Sequence, residues 1–264
     1  MILIVDALNR HRFEPLLDQM FQLRARVFRD RMGWDVTVKD GRESDLFDEL
    51  DPAYVLALDD DYQVIGCARL LQTTGPHMLS DVFQAILDGE PPLRSATMWE
   101  STRFCVDREA LAGGRGRHTV ARTTTELMCG ILEYAQAAGI SDIITVIDPV
   151  MDRILHRSDN APYDYVGRTA DMGKVRALAA LIDTSQERID RVRAFAGIDG
   201  DIFAIEEEVA NVIAPPIGLP GDAYLREYCH QQIASANSLR ERNAAIALQK
   251  ALSGLHSPAR SFDA

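Results

Sequence analysis

Short apolar or β-branched runs alternate with helix-period segments over the first 157 residues, which restricts the chain to an α/β fold around one sheet. Residues 2–5 read as a buried strand. Residues 11–32 read as a helix, with Phe13, Leu16, Leu17, Met20 and Val27 at helical spacing. The acidic stretch 33–51 follows neither period and reads as a loop. Two strands come next, 54–58 and 64–71, joined through the turn signal Asp59-Asp60-Asp61. A short helix fits 78–88 and a strand fits 97–107. Gly113, Gly114 and Gly116 mark a loop before a helix at 119–138, whose Val120, Thr124, Leu127, Ile131 and Tyr134 share a face. Residues 143–147 form a β-branched strand, and Pro149 opens another helix, as proline can in a first turn. The expected architecture is a three-layer α-β-α sandwich around a mixed sheet. The proline- and glycine-rich run 214–221 breaks regular structure. It divides a domain at 1–213 from a C-terminal helical extension at 222–264, in which 222–253 reads as one long polar helix.

A formal net charge of -12 argues against general nucleic-acid binding, which needs a basic footprint. The four cysteines, Cys67, Cys105, Cys129 and Cys229, are widely spaced and form no metal-binding or disulfide pattern. They read as reduced thiols, and no metal site is expected. The opening Met-Ile-Leu-Ile-Val-Asp is too short and too soon acidic for a signal peptide, and no apolar run is long enough to span a bilayer. A cytoplasmic protein with no membrane partner is expected.

Several polar residues have spacings that suit a binding site, each with a plainer reading beside it. Arg24 and Phe28 are four apart on the first helix and share a face. They either hold a carboxylate or planar ligand, or divide into a surface arginine and a core phenylalanine. Trp34 either walls a pocket or anchors its loop. Glu43, Asp45 and Asp48 either converge on a cation or form a solvated acidic run. Glu100 and Arg103 lie three apart on one strand, so strict alternation sends them to opposite faces. Both reach one site only if the strand carries a bulge. Arg69 sits on the strand that leads into the Thr-Thr-Gly-Pro-His-Met-Leu turn. The run Gly-Gly-Arg-Gly-Arg at 113–117 is either an anion-binding loop or a plain connection. His77 and Cys105 have no triad-like partners in the sequence.

The ordered set Arg24, Phe28, Trp34, Glu43, Asp45, Asp48, Arg69, Glu100 and Arg103 resembles the LuxI-type acyl-homoserine-lactone synthases over roughly residues 1–210. That resemblance implies a GNAT-like fold and an acyltransferase that joins S-adenosylmethionine to an acyl group, with no permanently bound cofactor. The acyl donor would be an acyl carrier protein or acyl-coenzyme A. The resemblance implies Glu100 as the base, acting directly or through one water, with Arg103 orienting the co-substrate. It gives Arg24, Phe28, Trp34, Asp45, Asp48, Arg69 and Ser101 the S-adenosylmethionine pocket, and Met78, Phe83 and Thr145 the acyl pocket. Arg115, Arg117, Arg153 and Arg157, with His118 and Arg122, are the candidates for carrier docking. An N-acyltransferase without lactone formation and a non-catalytic relative are the competing readings.

Overall fold

In the computed structural model residues 1–112, 119–173 and 175–213 are described, with the isolated positions 233, 242 and 246. The chain opens with β1 (Ile2–Val5) and α1 (Glu14–Arg24), and continues as a π-helical turn over Ala25–Arg31. A hairpin of β2 (Val38–Lys39) and β3 (Arg42–Glu43) precedes the strand pair β4 (Ala53–Leu58) and β5 (Val64–Gln72). Two single-turn helices, α2 (Met78–Asp81) and α3 (Gln84–Leu87), lead to β6 (Met98–Val106) and α4 (Arg108–Ala112). Next come α5 (Val120–Ala137), β7 (Asp142–Ile147), α6 (Pro149–Arg157), β8 (Asp164–Asp171) and β9 (Arg176–Asp183). The last described helices are α7 (Gln186–Ala196) and α8 (Glu206–Ile213). Residues Met1–Ile213 form one compact unit. The linker at 214–221, the tail helix (three isolated positions aside), Arg115, Arg117 and His118 lie outside the described residues.

The seven-stranded sheet has the order β1-β4-β5-β6-β7-β9-β8. Every pairing is antiparallel except that of β6 with β7. That parallel pairing joins only Met98–Ser101 to Asp142–Thr145, and beyond it the two strands part. Leu127, Ile131 and Leu132 of α5 and Ile189 and Val192 of α7 pack on one face, against Ile2, Val55, Ile65 and Ile143. On the other face Leu16, Met20 and Leu23 of α1 pack against Leu3, Leu56 and Cys67, and Leu79, Ile86 and Leu87 pack on Ile144, Ala179 and Leu181. The result is the mixed α-β-α sandwich that the alternation predicts.

Local chemistry sets the element ends. Asp148 Oδ1 accepts from the Val150 and Met151 amides at 2.8 and 2.7 Å and starts α6, with Pro149 in the first turn. Thr119 caps α5 in the same way through Arg122 N. The predicted helix at 11–32 is divided: a 3-10 turn covers Arg10–Arg12, and α1 starts at Glu14 with Pro15 in its first turn. The predicted helix at 78–88 is likewise two turns, separated at Val82–Phe83 and closed by Asp88 in the left-handed region. Besides the β2–β3 hairpin, which lies in the stretch that reads as a loop, two strands of the large sheet were not legible. β8 is a polar edge strand and β9 is rich in alanine, so neither carries the β-branched signal.

Candidate active site

Three arginines and three carboxylates meet on the α1 face of the sheet. Arg24, fully buried, donates through Nε to Glu43 at 2.5 Å and through both terminal nitrogens to Asp48 at 2.8 and 2.9 Å. Arg69 donates to Asp45 at 2.5 Å, to Asp48 at 2.9 Å and through Nε to Thr102 Oγ1 at 3.0 Å. Arg103 joins Glu43 at 3.0 Å and Asp45 at 2.7 Å, and the Tyr54 hydroxyl donates to Asp48 at 2.8 Å. Burial alone would favour the neutral form of Arg24, but Asp48 and Glu43 outweigh it and raise the guanidinium above its ordinary pKa. Burial would raise Asp48, yet the bonds and charges of Arg24 and Arg69 hold it well below the usual carboxylate range. The acidic stretch is therefore a folded half of an ion network. Asp45 starts its short 3-10 turn, Leu46–Glu49, by capping the Phe47 amide, while Asp48 accepts from the Asp45 amide.

The strand β6 carries the bulge that the site requires. Cys67 faces Cys105 and Arg69 faces Thr102, so Ala68 alone stands opposite Arg103 and Phe104. Arg103 takes φ +55°, a left-handed conformation that costs a non-glycine residue. The extra residue puts Thr102 and Arg103 consecutively on the ion-network face, while Phe104 packs towards α5. The other wall is the π-helical turn. Its Met32 amide bonds Val27 O and its Trp34 amide bonds Phe28 O. Phe28 and Trp34 stack at 5.1 Å with 7° between their planes, and the Arg103 guanidinium lies 5.6 Å over Phe28.

Glu100 is fully buried beneath this network. Its two oxygens accept from the Met78 and Leu79 amides at 2.7 and 2.6 Å. Burial raises its pKa to about 7, although both amide bonds pull the other way. The turn it holds sets the Met78 sulfur 3.2 Å from Arg69 and 3.4 Å from Arg103.

A cleft of about 1320 Å³ runs from this network through the opening between β6 and β7 to the α5 side. Phe28, Trp34, Glu43, Asp45, Met78, Phe83 and Arg103 line its near end. Ser101 and Thr145 stand where the strands part, and Thr145 Oγ1 donates to Ser101 O at 2.9 Å. The far end is lined by Met128, Leu132, Met151, Ile154 and Ile182 among others. Arg24, Asp48, Arg69 and Glu100 are not among the lining residues; they lie behind them. Direct contact between Glu100 and a ligand is thus not available in this form, because Met78 and Leu79 cover it. Arg157 reaches the cleft and Arg153 is exposed, while Arg122 pairs with Glu126 at 2.8 Å one turn along α5. Thr102 and the far lining were missed from sequence. The ladder Val120, Thr124, Met128 and Leu132, four apart on α5 and all lining, was the available signal.

The model of the autoinducer synthases matches residues 9–192. A probable acyl-homoserine-lactone synthase of Sinorhizobium fredii is 39% identical over 178 residues, 67% of this chain and 85% of that protein. Among solved structures, the CoA-dependent acyl-homoserine lactone synthase MesI is similar with a TM-score of 0.66 at 30% identity, over 77% of this chain and 99% of that one. The CoA-dependent synthase BjaI, solved with SAM and isopentyl-CoA, gives a TM-score of 0.68 at 27% identity over 80% and 98%. This chain belongs to the autoinducer synthase family and is an acyltransferase of the acyl-homoserine-lactone synthase kind.

Proposed function

We propose that the chain makes N-acyl-L-homoserine lactones from S-adenosylmethionine and an acyl thioester and releases methylthioadenosine. The observation that carries this reading is the single cleft: its charged, aromatic end and its apolar end meet at the opening beside Ser101 and Thr145. A cationic co-substrate suits the carboxylate and aromatic faces of Asp45, Phe28 and Trp34. An acyl chain suits the passage between the strands, with Met78, Phe83 and Thr145 on its walls. The α-amine attacks the thioester carbonyl; an amide C–N bond forms and the C–S bond breaks to free the thiol. The co-substrate's carboxylate then displaces its sulfonium, and the ring closes as methylthioadenosine leaves. Positioning dominates that second step, because the sulfonium is already a good leaving group.

The first step must dispose of an ammonium proton. Glu100 is the proposed acceptor, since its pKa of about 7 suits a base near neutrality. The proton reaches it through water once the Met78–Leu79 turn loosens on substrate binding. Arg103 orients the co-substrate, and Arg24, Asp48 and Arg69 fix Asp45 and the rest of that wall. The CoA-dependent relatives favour acyl-coenzyme A as donor. If an acyl carrier protein serves instead, the exposed Arg153 and Arg157 of α6 are its contacts. The test is methylthioadenosine release by purified protein from S-adenosylmethionine and a panel of acyl-coenzyme A and acyl-carrier donors, beside mass spectrometry of the product. Lactone with equimolar methylthioadenosine supports the proposal. An acyl amide without methylthioadenosine would mark an ordinary N-acyltransferase.

A further inference from the structure

The far end of the cleft is not uniformly apolar. Beyond Thr145 it passes Ile143 and its cross-strand partner Ile182. It reaches the segment that ends α6, where Ser158 and Asn160 line it at 5% and 3% exposure. Ile143 and Thr145 are two residues apart on β7, so this end lies roughly 7 Å further along the strand than the opening between β6 and β7.

The orientation of the Asn160 carboxamide is fixed by its neighbour. Arg188 has only donors, and its Nη1 lies 3.2 Å from Asn160 Oδ1. Arg188 is itself held by Asp183 at 2.7 Å and by Ala161 O at 2.7 Å. The oxygen therefore faces Arg188, and the amide Nδ2 points the other way with no partner among the described residues. Ser158 spends its proton on Ile154 O at 2.8 Å, which leaves its oxygen able to accept. A donor that faces the cleft and has no partner among those residues is free to meet a ligand atom or a water there. The surface that Asn160 retains belongs to the cleft it lines.

We infer that Asn160, with Ser158, is a specificity element for acyl donors that carry a hydroxyl or carbonyl at the end remote from the thioester. A distal hydroxyl accepts from Asn160 Nδ2 and donates to Ser158 Oγ. A plain alkyl end leaves the Asn160 amide without a partner and adds nothing to Ser158, whose proton stays on Ile154 O. Sites built to hydrogen-bond a substrate group discriminate strongly against analogues that lack it. The inference rests on the proposed acyl passage and adds the substrate class that the passage selects.

The test compares hexanoyl, octanoyl and decanoyl thioesters with their ω-hydroxy counterparts, read as methylthioadenosine release by the full-length protein. Independently of turnover, calorimetry compares binding of the matching lactones with and without the ω-hydroxyl. The expected result is a preference of about tenfold or more for the hydroxylated member at the best length. Asn160→Leu should abolish that preference. Ser158→Ala, which leaves the Asn160–Arg188 contact in place, should reduce it. Equal or better use and binding of the alkyl series by the unaltered protein would overturn the inference, as would a preference that survives Asn160→Leu. No methylthioadenosine from any donor would fail the proposed function instead, and the binding arm would still decide this one.

Discussion

On the α1 side of the sheet, Arg24, Glu43, Asp45, Asp48, Arg69 and Arg103 each have an oppositely charged partner within 3.0 Å. On the α5 side, the same cleft is walled mainly by thioether, methyl and methylene groups from Met128, Leu132, Met151 and Ile154. The first wall owes its shape to directional bonds that leave each atom one place to be. The second owes its shape to packing, which tolerates exchange when volume is kept, and methionine adapts most readily. A common co-substrate can be gripped by the first wall while the second changes its acyl chain.

The largest test of this contrast lies in the network. Asp48→Ala removes the acceptor of Arg24, Arg69, Tyr54 and the Asp45 amide at once. It should destabilise the fold by about 3–5 kcal/mol, the usual effect of leaving buried charges unpaired. Urea denaturation measures it, and a loss under 1 kcal/mol would mean that the network contributes little to the fold. Acid should act in the same direction. Asp48 is held below its ordinary range, so the stability it contributes is present above about pH 4 and lost as the pH falls further.

Glu100→Gln comes next. Turnover should fall by about 10²–10⁴-fold with the fold retained, and the rise of activity through about pH 7 should disappear. A carboxylate that only anchors the Met78 turn would leave that pH limb in place. Stability gives a second reading of opposite sign to Asp48. Glu100 is raised from 4.5 to about 7, so the stability it contributes is full in acid and lost as the pH climbs through that interval. The melting temperature of Glu100→Gln relative to the parent should therefore rise between pH 5 and 8.

The apolar wall should respond in selectivity before stability. Met128→Trp should shorten the longest acyl chain accepted, at a loss of about tenfold or more for the excluded donor. Competition among donors of different length measures it. Thr145→Val removes one bond to Ser101 O and should change stability by about 1 kcal/mol or less. Its effect should appear as altered preference at the acyl carbons near the opening, read from product ratios.

The two walls also differed in legibility. Arg24, Asp45, Asp48, Arg69 and Arg103 can be named from sequence because their order resembles that of the LuxI-type synthases; by spacing alone each has a plainer reading. Their partners cannot be named: that Arg24 grips Asp48 depends on a hairpin and a 3-10 turn within a stretch that reads as a loop. The bulge at Arg103 follows from demanding that Glu100 and Arg103 serve one site, and the register carries it. That Glu100 lies behind Met78 was not legible, since the amides that cover it belong to a turn twenty-two residues away. The apolar wall gave the weakest signal, because Val120, Thr124, Met128 and Leu132 look like any core-facing helix. β9 was missed for a related reason, its alanines favouring a helix until strand partners override them.

Both walls of the charged pocket depend on a surplus residue. The π-helical turn holds one more residue per turn than an α-helix, and β6 holds one more than β5 across the bulge. Deleting one position from Ala25–Arg31 would relax the helix to ordinary winding while swinging Phe28 away from Trp34. Deleting Phe104 would restore a flat ladder while sending Arg103 through to the far face. Pocket geometry is thus written in residue count as well as residue kind, and related sequences aligned here without gaps should keep the pocket even where side chains have drifted.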